Sequence, residues 1–298
     1  MPQRHVAVNG TRLFLDVRGT TTDPPLLYLH GGPGMSCHHF MTWQGDRLAR
    51  RLFVIGMDQR GVLRSDPLRP GETFTEDTLV DDCEAVRAEL GIPRWTVLGH
   101  SFGGRVALRY AARYPERVAA VVFECPGWDF GETERLRLPA AAAIFDELGD
   151  HESARQCREL VAEPSDDLLD SFQLVARLVK HDRYDDLYFH RPEARARWRA
   201  AEEFPDELQA RSAAHSAQAI AGLRAPVLPL LAHVTMPAAL IVGGHDLITG
   251  PAQVAAFERL VPHGEVLRFP EAGHFVQLEE PEPYAEAVVR LASGGLVP

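Results

Sequence analysis

Cysteine is scarce: the 298 residues hold four, Cys37, Cys83, Cys125 and Cys157, with no C-x-x-C spacing. That pattern excludes a disulfide framework and points to reduced thiols. The Cys37-His38-His39 run has no acidic or cysteine partner at ligand spacing, so it does not read as a metal site. Basic residues are outnumbered 31 to 42, and a formal net charge of -11 disfavours nucleic acid, whose phosphates need basic surface. No apolar run approaches the roughly 20 residues that cross a bilayer. The opening Met1-Pro2-Gln3-Arg4-His5-Val6 also lacks an apolar targeting core. A cytoplasmic protein with neither a nucleic-acid nor a membrane partner is therefore expected. No phosphate-cradling glycine loop, nucleotide fingerprint or metal cluster is present, so no cofactor and no metal are expected.

The chain does hold an apolar run that stops at a serine between glycines, Val97-Leu98-Gly99-His100-Ser101-Phe102-Gly103-Gly104. Arg94-Trp95-Thr96-Val97-Leu98 has the make-up of a short buried strand, and Arg105 to Ala112 has helical periodicity. G-x-S-x-G is a weak signal alone and also fits a plain glycine turn. Between a strand and a helix it fits a nucleophile elbow, whose small residues let the backbone turn sharply and expose the hydroxyl. The N–H of Phe102 would then sit at a helix N-terminus, suited to a developing oxyanion.

Taken in order, residues 5–19 read as a hairpin turning at Asn9-Gly10. Pro25 to Leu29 and Leu52 to Met57 read as strands buried on both faces, ending at His30-Gly31-Gly32-Pro33-Gly34 and at Asp58-Gln59-Arg60-Gly61. A helix follows Thr75, and Val118 to Phe123 is another buried strand that runs into Glu124. From about Asp129 to Thr235 the pattern becomes helical, with helices expected at Pro139 to Leu148 and Asp167 to Val179. Ala238 to Val242 and Glu265 to Pro270 return to strands, and a helix from Pro281 closes the chain. Such alternation implies an α/β fold with a mostly parallel sheet and a site at the strands' C-terminal ends. The expected division is a core of residues 1–128 and 236–298 with a helical cap at 129–235.

Serine needs a positioned base, and the base needs an acid to hold its tautomer. His274 follows the last strand and Asp246 the strand before it, in the chain order Ser, Asp, His. Glu124 competes for the acid role and otherwise reads as a substrate contact or a buried structural carboxylate. Gly32 is expected to supply a second oxyanion N–H.

Together, His30-Gly31-Gly32-Pro33-Gly34, Asp58-Gln59-Arg60-Gly61, the Gly99 to Gly103 elbow, Gly244-His245-Asp246 and Gly273-His274 resemble the proline iminopeptidase branch of the α/β-hydrolases. The resemblance implies an α/β-hydrolase fold and a triad of Ser101, Asp246 and His274. It implies an oxyanion hole at the HGGPG loop and cap glutamates that bind a substrate amino group. Three stretches depart from that branch: Val62-Leu63-Arg64-Ser65, the His100 and Phe102 of the elbow, and Arg197-Trp198-Arg199-Ala200-Ala201-Glu202-Glu203 in the cap.

The expected function is a serine hydrolase of a small amide or short peptide with a free amino terminus, contacted by Glu124, Trp128, Glu202 or Glu203. The departures keep an ester, lactone or thioester hydrolase or acyltransferase open. A non-hydrolytic lyase, isomerase or ligand-binding protein on the same fold is the third possibility.

Overall fold

The computed structural model describes residues 3–165, 167–201, 204–225 and 227–294. Its centre is one eight-stranded sheet in the order β1-β2-β4-β3-β5-β6-β7-β8. The strands are β1 (Arg4–Val8), β2 (Thr11–Arg18), β3 (Pro25–Leu29), β4 (Phe53–Met57), β5 (Trp95–His100), β6 (Val118–Glu124), β7 (Ala238–Gly243) and β8 (Glu265–Phe269). β1 and β2 form the expected hairpin, turning through Asn9 and Gly10 at φ 46° and 75°. β2 joins β4 antiparallel, and every later pairing is parallel.

Alternation within each strand builds two apolar layers. Leu27, Leu29, Val97, Val121, Phe123 and Leu240 face one way. There they meet α1 (Glu76–Glu89), α2 (Phe102–Arg113) and α8 (Pro251–Leu260). Leu26, Tyr28, Leu98, Val122 and Ile241 face the other way, against Phe40, Met41 and α9 (Pro281–Ala292). Each fully buried Leu, Val or Phe contributes about 1.5–3 kcal/mol, so the sheet is a rigid platform. Register aligns Leu29 with Gly99, His100 with Glu124, and Gly243 with Phe269. Ser101, Asp246 and His274 therefore follow strands that end on one edge of the sheet.

Between β6 and β7 the described residues are helical, without a strand. They include α3 (Phe130–Glu147), α4 (His151–Ala162), α5 (Leu168–Ala176), α6 (Pro192–Arg199) and α7 (Asp206–Gly222). Leu138, Phe145, Cys157, Leu174 and Leu178 give this insertion an apolar cluster of its own. α3 begins nine residues before Pro139, where the expected helix started, because Asp129 caps it by accepting from Glu132 N–H. Pro139 removes one intrahelical bond, and the burial of Leu138, Ala141 and Phe145 beside it holds the helix together. The second expected helix ends at Ala176 and continues as a 3₁₀ turn, Arg177–His181. Among the described residues no helix is long and apolar enough to cross a membrane.

Candidate active site

β5 runs through Gly99 and His100, and α2 starts at Phe102, leaving Ser101 alone to make the turn at φ 53°, ψ -118°. A non-glycine residue held there is strained and persists only when its surroundings over-determine it. They do: Ser101 N–H donates to Glu124 O (3.0 Å), while Ser101 O accepts from Gly104 N–H (2.9 Å) and Gly127 N–H (3.3 Å). The neighbouring glycines make the approach possible. A Cβ at Gly103 would collide with the carbonyl of Leu29, and one on Gly31 would lie 2.7 Å from the Cβ of Ser101. The loop after β3 can thus lie directly against the serine.

His274 Nδ1 is 2.8 Å from Asp246 Oδ1, with both side chains almost wholly buried. Asp246 also accepts from Ile248 N–H on Oδ1 and Thr249 N–H on Oδ2, both at 3.0 Å. Burial opposes its ionisation, yet the facing imidazole and the two amides outweigh it and hold the carboxyl below its usual value. Burial also depresses His274 below the ordinary imidazole value, against the upward pull of the Asp246 carboxylate. The loop carrying His274 is tied to the helical insertion. His274 N–H donates to Tyr188 O (2.7 Å), and the buried carboxylate of Glu279 accepts from the N–H groups of Gly273, His190 (2.6 Å) and Arg191 (2.7 Å).

Ser101, His274 and Gly32 line one cavity of about 310 Å³. Its far wall comes from the insertion and the loops: Met35, Phe172, Tyr184, Tyr188, Trp198, Ile220 and Phe275. The carboxylate in this lining is that of Asp185, whose Oδ2 accepts from Arg199 Nε at 2.8 Å. Asp185 and Trp198 also line a neighbouring cavity of about 550 Å³. Gly32 has φ +114°, in the region that favours glycine. Phe102 is the first residue of α2, so its N–H is among those without an acceptor inside the helix.

Two expected substrate contacts lie elsewhere. Glu124 is fully buried on the far side of the sheet edge, accepting from Gln277 N–H (3.1 Å) and Tyr284 OH (2.9 Å). Trp128 packs against Phe257 behind the elbow, and its indole N–H donates to Gly104 O (3.2 Å). Neither lines the cavity that holds Ser101. Glu202 and Glu203 lie outside the described residues. Conversely, Tyr184, Asp185 and Tyr188 escaped the sequence reading, although an acidic and aromatic run, Asp182 to Tyr188, was its available signal. His100 packs against His274 with the rings tilted and their centroids 4.7 Å apart, and its Nδ1 is 3.5 Å from Glu124 Oε2.

The α/β-hydrolase fold family matches residues 24–281. A proline iminopeptidase of Xylella fastidiosa is 39% identical over 111 residues, which is 37% of this chain and 35% of that protein. The matched stretch thus spans about a third of that relative's length. Among solved structures, a proline iminopeptidase-related protein of Thermus thermophilus is 26% identical, covers 100% of this chain and 99% of its own, and has a TM-score of 0.72. An esterase of Rhodococcus is 21% identical over 98% of this chain and 99% of its own, at a TM-score of 0.70. That last likeness is one of fold alone.

Proposed function

The chain belongs to the α/β-hydrolase family and is a hydrolase, and from that premise we propose that it works through an acyl-enzyme on Ser101. The observation that carries this reading is that His274, bonded to Asp246, lines the same cavity as a strained serine at a helix N-terminus. With Asp246 ionised, His274 carries its proton on Nδ1 and keeps Nε2 free to accept one. Nε2 takes the Ser101 hydroxyl proton as Oγ attacks the substrate carbonyl, and the N–H groups of Gly32 and Phe102 receive the oxyanion. The tetrahedral adduct collapses as His274 gives its proton to the leaving amine or alcohol. A water, deprotonated by the same nitrogen, then attacks the acyl carbon and releases the acid and Ser101.

For substrate we propose a small amide or short peptide with a free amino terminus. We read the helical insertion, 129–235, as a cap over the cavity. Asp185 would meet the ammonium with its Oδ1, since Oδ2 is engaged by Arg199. Trp198 and Tyr188 beside it offer aromatic faces to the same cation. The pairing of Asp185 with Arg199 and the otherwise apolar wall favour a second reading, an ester, lactone or thioester without an amine. We propose a reducing cytoplasm as the compartment, because all four cysteines are buried free thiols.

A panel of a proline arylamide, its N-acetyl form, an alanine arylamide and a short acyl ester tests these readings. Ser101-dependent cleavage confined to free-amine arylamides, weakened by Asp185→Asn through KM, supports the first. Equal rates with and without the N-acetyl group remove it, and cleavage of the ester alone supports the second.

A further inference from the structure

Three chain segments next to the proposed catalytic groups bring metal-binding side chains to one point on the surface. His190 lies in the insertion, two residues after Tyr188; His245 directly precedes Asp246; Glu271 lies three residues before His274. Each offers one ligand atom, and the three atoms lie within 4.8 Å of one another. We propose that His190, His245 and Glu271 bind a divalent transition-metal ion of the zinc type, joining the insertion to the loops that carry Asp246 and His274.

The two imidazole rings stack with centroids 3.5 Å apart and planes 2° off parallel, and His190 Nε2 is 3.9 Å from Glu271 Oε2. Zinc holds nitrogen and oxygen ligands at about 2.0–2.2 Å, with tetrahedral ligand atoms therefore on the order of 3.4 Å apart. Reaching that geometry requires the rings to turn out of their stack and the three ligand atoms to close by about an ångström, which exposed side chains do by rotamer change. The backbone need not move, because it is already braced. His190 N–H donates to Glu279 (2.6 Å), His245 N–H to Ala272 O (2.9 Å), and Arg191 Nε to Glu271 O (3.1 Å). Arg191, next to His190 in the chain, is engaged by Glu280, which limits its repulsion of an ion. Two imidazoles and one carboxylate suit zinc, cobalt or nickel, whereas magnesium and calcium take oxygen ligands. A fourth position remains open to water on the solvent side.

The ligands are drawn from positions more than fifty residues apart in the case of His190 and His245, so no local spacing announces the site. A second cluster, Cys125, Asp246 and His274, is buried, and a metal there would break the Asp246–His274 bond. The experiment has to separate the two.

Untagged, chelator-treated full-length protein is titrated with Zn²⁺, followed by its melting temperature, and with Co²⁺, followed by its visible absorption. The expected result is saturable 1:1 binding and a melting temperature raised by a few degrees at saturation. Affinity should fall at least ten-fold in His190→Ala, and in Glu271→Gln by less, while both metal-free variants keep the melting temperature and hydrolysis rate of the parent. Binding that persists in His190→Ala but is lost in Cys125→Ser assigns the ion to the buried cluster and overturns the proposal. So does the absence of saturable binding up to millimolar metal.

Discussion

Replacing Asp246 by Asn keeps the shape of the acid and removes its charge and one acceptor. In the parent, Oδ1 receives His274 Nδ1 (2.8 Å) and Ile248 N–H (3.0 Å), and Oδ2 receives Thr249 N–H (3.0 Å). Asn has a single acceptor oxygen. Turned toward His274 and Ile248, it preserves the tautomer but sets its NH₂ against Thr249 N–H. Turned the other way, its NH₂ faces His274 and forces the ring proton onto Nε2, where the base can no longer accept from Ser101. Either orientation strands a buried donor, which costs about 1–3 kcal/mol of stability. Both lose the charge that stabilises the imidazolium, so kcat should fall roughly 10²- to 10⁴-fold, or about 3–5 kcal/mol of transition-state stabilisation. The pH profile supplies the sign. Neutral His274 is the active base, and the carboxylate raises its pKa against burial, so removing that charge lets the pKa fall further. The acid limb of the residual kcat/KM should therefore move to lower pH. Steady-state rates across pH on an acyl ester, with urea unfolding alongside, read both effects. A folded Asp246→Asn enzyme with more than about a third of parental kcat/KM would refute the assignment. The acid role would then pass to a group such as Glu124, whose charge also raises the His274 pKa but by less than that of Asp246, so that Glu124→Gln should otherwise move the acid limb less than Asp246→Asn does.

Four further outcomes follow from packing and charge. Gly103→Ala forces a Cβ into the backbone carbonyls of Leu29 and His30, which no rotamer relieves, so urea unfolding should show a loss of about 2–4 kcal/mol. Gly222→Ala, in α7 with nothing within 4 Å of its Cβ position, should instead gain about 0.5–1 kcal/mol. Burial pushes His215 down to about 3 and His39 down to about 4. Both stay neutral in the fold while the unfolded chain takes up protons near its ordinary value of about 6.5. Their stabilising effect is therefore complete above that value and is lost as pH falls towards 4 and then 3, by several kcal/mol in total. His215→Gln, which can still donate to Arg60 O, should flatten that acid loss in pH-dependent urea midpoints. Arg137 is buried with Nε and Nη2 unpartnered, its guanidinium 4.5 Å from the centroid of the Phe172 ring. Arg137→Met keeps the stem's packing and removes a buried charge met by a long bond from Nη1 to Tyr188 OH (3.5 Å) and by the Phe172 ring, so the melting temperature should hold or rise. A loss above about 2 kcal/mol would instead show that the charge is well stabilised where it sits.

The central parallel strands were legible because they are short apolar runs, most of them flanked by glycine or proline, and parallel strands buried on both faces carry that pattern, whereas the edge strand β8 is only half-buried. The convergence of Ser101, Asp246 and His274 at one sheet edge was legible because the strand ends fix where such residues sit along the chain. For Glu124 the sequence left a substrate contact and a buried structural carboxylate both open, for a reason the same strands contain. At the end of β6 the alternation of faces decides whether a side chain enters the cavity or the core, and Glu124 falls on the side of Tyr284. Pro139 read as a helix start because proline is favoured in the first turn, whereas tertiary burial here carries α3 through it. The cavity wall was the least legible part. Met35, Phe172, Tyr184, Tyr188, Trp198 and Ile220 come from separate segments whose convergence depends on how the insertion folds back.

The central claim is that Ser101 becomes acylated with His274 as its base, and intact-mass spectrometry after reaction with a serine-directed fluorophosphonate tests it most directly. The account predicts one adduct on the parent, none on Ser101→Ala, and a strongly slowed adduct on His274→Ala, with all three proteins folded. An adduct of equal rate on Ser101→Ala, or turnover that survives that substitution, would contradict it.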